Sequence, residues 1–186
     1  TTMLMHSSVL VLLSHLTVAL CCDSLTQYSH YSSISLKLVD NMGGQLSGQD
    51  PPVYFPYRLY RRIRCSREER QLSFVRESLE LIFDLYRTNN TYPATWEKNT
   101  IQHFLISLER LMDTLDQCVS NNIINNQNIK LRKYYRKLIK RTVHATHGSS
   151  ESWKFVMSET KTHLEQLHLL VSFIQFIKGA RCSRLH

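Results

Sequence analysis

Lys130, Arg132, Lys133, Arg136, Lys137, Lys140 and Arg141 set seven cations within twelve residues. Charge of this kind holds anions. Steps of three and four residues put Lys130, Lys133, Lys137 and Lys140 on one face of a helix, where they suit sulfated glycan, nucleic-acid phosphate or an acidic protein partner. The plainer role of such a face is solvation. Tyr134 and Tyr135 interleave with the cations and would suit base stacking, but Tyr135 falls on the apolar side of the same helix, so nucleic acid is not an expected partner. The net charge of +8 extends the attraction to acidic surfaces over the whole chain.

The second reactive set is the thiols. Met3 to Leu20 carries no charged side chain and holds the apolar run Val9 to Leu13, followed by Leu16, Val18, Ala19 and Leu20. This is the pattern of a secretory leader, and it is too short and broken for a stable membrane anchor. Residues 1–21 are therefore expected to be a signal peptide and residues 22–186 one secreted, extracellular domain. Cleavage after Cys21 leaves Cys22, Cys65, Cys118 and Cys182. In an oxidising compartment four cysteines allow three pairings, and their spacing does not choose among them.

Imidazoles and carboxylates offer less. His144 and His147, and His163 and His168, lack the third and fourth ligands a zinc site requires, so surface or partly buried histidines are expected. Glu68, Glu69, Glu77, Glu80 and Asp84 lie along one helix, where the dipole and solvent account for them. No G-x-S-x-G, G-x-G-x-x-G, P-loop or H-E-x-x-H pattern is present. The sequence points to a binding protein with no cofactor, not to an enzyme.

The elements that must position these groups are helices. Hydrophobic residues make up 42% of the chain and only 5 Gly and 4 Pro are present, a globular composition poor in the residues that β-turns need. Leu25, Tyr28 and Val39 mark a first helix that stops at Met42-Gly43-Gly44. Gly48, Pro51, Pro52 and Pro56 make residues 45–64 a long overhand loop. Ser66 to Glu69 reads as a capping box opening a helix through Leu72, Val75, Leu79, Ile82 and Tyr86. Asn89-Asn90-Thr91 is an N-glycosylation acceptor at Asn89. Trp96 to Val119 carries the most regular apolar stripe, Ile101, Phe104, Leu108, Leu111 and Leu115. A polar tract through Asn128 separates it from the basic helix, on which Leu131, Tyr135 and Leu138 are apolar. The last helix runs from about Glu151 to Lys178, with Trp153, Met157, Leu164, Leu167, Val171 and Ile174 as its stripe, flanked by Phe173. The expected fold is all-α: a five-helix bundle with a four-helix up-up-down-down core and a long crossover.

On these residues the chain from Cys22 to His186 resembles the fish branch of the type I interferons, of the four-cysteine kind. The resemblance is carried by a cysteine at the start of the mature chain, by Met42-Gly43-Gly44 and by Phe55-Pro56-Tyr57-Arg58-Leu59-Tyr60. It is carried further by Leu79 to Tyr86 and by Tyr134-Tyr135-Arg136-Lys137-Leu138-Ile139 followed by Trp153. The family signature usually continues with an aromatic-Leu pair, where this chain has Arg141-Thr142. The resemblance implies a bridge from Cys22 to Cys118, which leaves Cys65 and Cys182 as the other pair. It implies a cytokine that joins the two chains of a heterodimeric class II cytokine receptor and starts antiviral JAK-STAT signalling. The first helix, the loop and the last helix would face one receptor chain, with Tyr57, Arg58, Arg61, Arg62, Lys154 and Lys161 as contacts. Tyr57 and Leu59 could equally pin the loop to the core. The alternatives are another helical class II cytokine, interleukin-10-like or type III interferon-like, and a cationic host-defence protein that disrupts membranes through its basic helix.

Overall fold

A computed structural model describes residues 24–42, 52–88, 92–93, 96–118 and 128–182. Among them are six helices and no strand: α1 (24–42), α2 (Tyr57–Arg64), α3 (Glu68–Thr88), α4 (Lys98–Asp116), α5 (Ile129–Arg141) and α6 (Ser150–Cys182). The leader, Cys22 and the Asn89 acceptor lie outside the described residues.

The hydrogen bonds between helices fix their directions. Ser24 donates to Gln117 and Ser35 meets Ser107, so α1 runs antiparallel to α4. Arg76 pairs with Asp116 while Tyr86 packs on Phe104, so α3 also runs antiparallel to α4. Ser29 with Gln175 and Ser32 with His168 set α1 antiparallel to α6. Thus α1 and α3 run one way and α4 and α6 the other, the up-up-down-down core expected, with α5 running back beside α3 and α6. α3 packs against α2, α4, α5 and α6. Its buried Leu72, Val75, Leu79, Ile82 and Tyr86 are the apolar positions that the sequence spacing selects.

Two aromatic groups fill the bundle. At one end Trp153, fully buried, gathers Tyr86, Tyr92 and Trp96 within 6 Å between ring centroids. Further along α6, Phe55, Tyr60, Tyr134 and Tyr135 surround His163. A buried carboxylate joins α3 to α5: Glu77 accepts from the Asn128 amide at 2.8 Å and from Arg132 Nε at 2.5 Å.

Four expectations are corrected. The crossover is not wholly loop, because α2 forms within it. Pro56 immediately precedes this helix and needs no N–H there, and Tyr60 and Ile63, three apart, bury one side. Ser66 does not cap α3; its hydroxyl donates back to the Ile63 carbonyl at 2.6 Å and closes α2. His163 is fully buried. Finally, Cys65 is a free, exposed thiol and is not bridged to Cys182. Its neighbour Arg64 bonds Gln166 on α6, and Cys182 lies sixteen residues further along that helix, about 24 Å of rise where a disulfide needs Cα atoms about 6 Å apart. Cys118 is disulfide-bonded, and Cys22, the partner expected for it, lies outside the described residues.

Two outcomes are expected. Maleimide should label Cys65 in the native, unreduced protein, as peptide mapping would show; protection of that thiol until denaturation would contradict its exposure. Glu77→Ala leaves the Asn128 amide and the Arg132 guanidinium without their acceptor and should cost about 2 kcal/mol in urea unfolding.

Candidate interaction surface

The site is built on the outward side of α6, because the other sides of that helix are occupied. Along one flank, residues seven apart meet α1: Lys161 Nζ lies 2.6 Å from Asp40 Oδ1, His168 Nδ1 3.1 Å from Ser32 Oγ, and Gln175 Oε1 accepts from Ser29 at 3.0 Å. Along the opposite flank Glu159 accepts from the Tyr134 hydroxyl, His163 Nδ1 lies 2.6 Å from the Tyr60 hydroxyl, and Gln166 accepts from Arg64 at 2.9 Å. Between these flanks helical spacing leaves Thr162, Glu165, Leu169, Phe173 and Phe176 facing outward. Leu169 is 52% exposed, Phe173 49% and Phe176 76%.

α2 borders this strip. Tyr60 and Ile63 turn inward, and Leu59 packs partly buried against the core. Tyr57, Arg58, Arg61 and Arg62 consequently face solvent, Tyr57 with its ring 4.6 Å from that of Phe55. The loop is thus pinned by Leu59 and Tyr60 rather than by Tyr57. Arginines in the last turn of α2 also complement the helix dipole. The α1–α2–α6 face is an apolar strip with a cationic border.

The structure brings together Tyr57, Arg58, Arg61 and Arg62 on this border, and it sets Lys154 and Lys161, both partly buried, on the α1 flank. Lys161 is already ion-paired, and its hydrogen bond to Asp40 holds its pKa above the ordinary lysine value. Lys130, Lys133, Lys137 and Lys140 belong to a different surface, the exposed side of α5. In the sequence Phe173 flanks the apolar stripe of the last helix, and nothing there singles out Leu169 or Phe176. Their signal is weak because α6 is apolar nearly all round between Leu167 and Ile177.

Beneath the α2–α6 junction lies a buried polar group of residues with an unusual titration. Burial drives the His163 pKa from 6.5 down to about 3. Burial also raises Tyr60 and Tyr135, and at Glu159 it outweighs the bond from Tyr134 and lifts the carboxyl. His163 Nε2 and the Tyr135 hydroxyl have no hydrogen-bond partner among the described residues. No three His, Cys, Asp or Glu side chains are grouped so as to hold a metal among those residues, and none of their helices is long and apolar enough to cross a membrane.

Known proteins resemble the chain over most of its length. The family model for the interferon alpha/beta domain matches residues 25–174. Interferon a3 of Oncorhynchus mykiss is 33% identical over 164 residues, covering 88% of this chain and 92% of that protein. The solved structure of zebrafish interferon 1 superposes with a TM-score of 0.69 at 27% identity, over 81% of this chain and 98% of its own.

The neutral burial of His163 makes stability pH-dependent. The unfolded chain takes up this proton below about pH 6.5 and the folded chain only near 3, so stability should fall as pH drops through that window and level off beneath it. Unfolding free energies of the parent between pH 6 and 4 are expected to be steeper than those of His163→Gln by about 1.4 kcal/mol per pH unit. Equal slopes would contradict an uncharged buried imidazole.

Proposed function

The chain belongs to the type I interferon family, in its fish branch, and from that premise we propose that it joins two different class II cytokine receptor chains and starts antiviral JAK-STAT signalling. On this reading residues 1–21 are removed on secretion, Cys118 is bridged to Cys22, and Asn89 carries a glycan.

The observation that carries the reading is the strip Leu169, Phe173 and Phe176. Three large apolar side chains stand exposed in a row on a helix whose other sides are packed. Contiguous exposed apolar surface of this kind marks association sites. Binding energy at interfaces concentrates in aromatic and arginine side chains at the centre of the contact. Phe173 and Phe176 would supply the desolvated centre, Tyr57, Arg58, Arg61 and Arg62 the border on one side, and Lys154 and Lys161 the border on the other. This face would meet one receptor chain, while α3 and α4 would meet the second. The membrane-disrupting alternative has less support, because Leu131, Tyr134, Tyr135 and Leu138, the apolar side of the basic helix, are all buried in the core.

Phe173→Ala and Phe176→Ala are each expected to raise the dose for half-maximal induction of antiviral genes in responsive cells about tenfold, and together about a hundredfold, with the thermal midpoint nearly unchanged because neither ring is in the core. An unchanged dose for the double variant would remove the apolar strip from the receptor contact. Reduction and alkylation of the parent should abolish induction.

A further inference from the structure

We propose that the exposed side of α5 is a second binding site, separate from the α1–α2–α6 face, for a sulfated polysaccharide of the heparan sulfate class.

α5 contains no acidic residue. Its cations divide into two kinds. Arg132 turns toward α3 and is paired with Glu77, and Arg141 donates to the Pro52 carbonyl at 3.3 Å. Lys130, Lys133, Arg136, Lys137 and Lys140 are exposed, and none of them makes an ion pair with a described carboxylate. The carboxylates nearest the buried side are already used: Glu77 by Asn128 and Arg132, and Glu159 by Tyr134. Four lysines alternating by three and four residues therefore form a row about 15 Å long, in which each charge repels its neighbours with no internal counter-ion. A multivalent linear anion lying along the row would meet all four at once; a single phosphate would meet one or two.

The geometry also selects among polyanions. Both tyrosines between the cations are buried, Tyr134 at 8% exposure and Tyr135 at 4%, so the face has no ring on which a nucleic-acid base could stack. The apolar side of the helix is spent in the core, and the one exposed apolar residue of α5, Ile129, stands at its first position, so little is available to enter a bilayer. A sulfated polysaccharide requires neither. Its binding would hold the protein at glycan-coated surfaces while the α1–α2–α6 face stays open.

The test uses the whole oxidised chain on immobilised heparin across a salt series. The parent's log affinity is expected to fall linearly with log salt, and the combined variant K130Q/K133Q/K137Q/K140Q to lose about tenfold in affinity at physiological salt, with a slope shallower by about three. R58Q/R61Q/R62Q should keep the parent profile. Heparin should protect Lys130, Lys133, Lys137 and Lys140 of the parent from acetylation, a readout that needs no variant to fold. Retention of the parent profile by the lysine variant, or protection confined to other lysines, would overturn the site. Equal affinity for phosphatidylserine vesicles or for oligo-dT would overturn the choice of ligand. On cells lacking sulfated glycans the lysine variant should signal as the parent does, and a loss there would overturn the assignment by placing the α5 face in the receptor contact.

Discussion

The imidazole of His163 is fully enclosed, so it must find its hydrogen bond inside the protein, and it finds it on Tyr60, 103 residues earlier in the chain. A polar group buried without a partner costs more than a made bond returns, so this contact fixes where the crossover can lie. With Tyr60 held on α6, Phe55 stacks on Tyr60 and packs at a tilt against His163, and Ile63 enters the core. Arg64 then reaches Gln166, and the remaining residues of α2 have only solvent to face. The arginine border of the proposed receptor surface thus follows from one buried pairing.

The same economy shapes α6. Its thirty-three residues serve as the shared wall for α1 on one flank and for α2 and α5 on the other. The contacts with α1 recur every seven residues, the interval at which an α-helix returns almost to the same side. Two occupied flanks and a buried inner side leave one outward strip, and beyond Thr162 and Glu165 the side chains on it are Leu169, Phe173 and Phe176, which solvation does not explain. The cationic side of α5 has a parallel origin: Leu131, Tyr134, Tyr135 and Leu138 enter the core, and every lysine of the helix is turned outward.

Most of the fold was legible because its long helices carry apolar residues at the helical period, and α4 is the plainest case. What periodicity could not show is set by contacts distant in sequence. α2 was hidden by the prolines around it and by its arginines, although Tyr60 and Ile63 already had helical spacing. His163 read as a surface or partly buried residue since nothing near it in sequence shows that Tyr60, Tyr134 and Tyr135 converge on it. Phe173 and Phe176 were unreadable for the opposite reason, because a helix apolar nearly all round offers no contrast between its faces. Cys65 was paired with Cys182 on cysteine number and family resemblance, neither of which measures the length of α6. Tyr57 and the arginines of α2 stand out in the sequence and are exposed in the fold, whereas nothing in the sequence singles out the apolar strip of α6.

One buried pairing thus unites α2 and the outer strip of α6 into a single proposed receptor-facing surface. Hydrogen–deuterium exchange of the oxidised protein, with and without soluble ectodomains of the two receptor chains, tests it most directly. One ectodomain is expected to slow exchange in residues 57–64 and 165–177 together while leaving 129–141 unchanged. Slowing of only one of the two segments, or of neither, would contradict it.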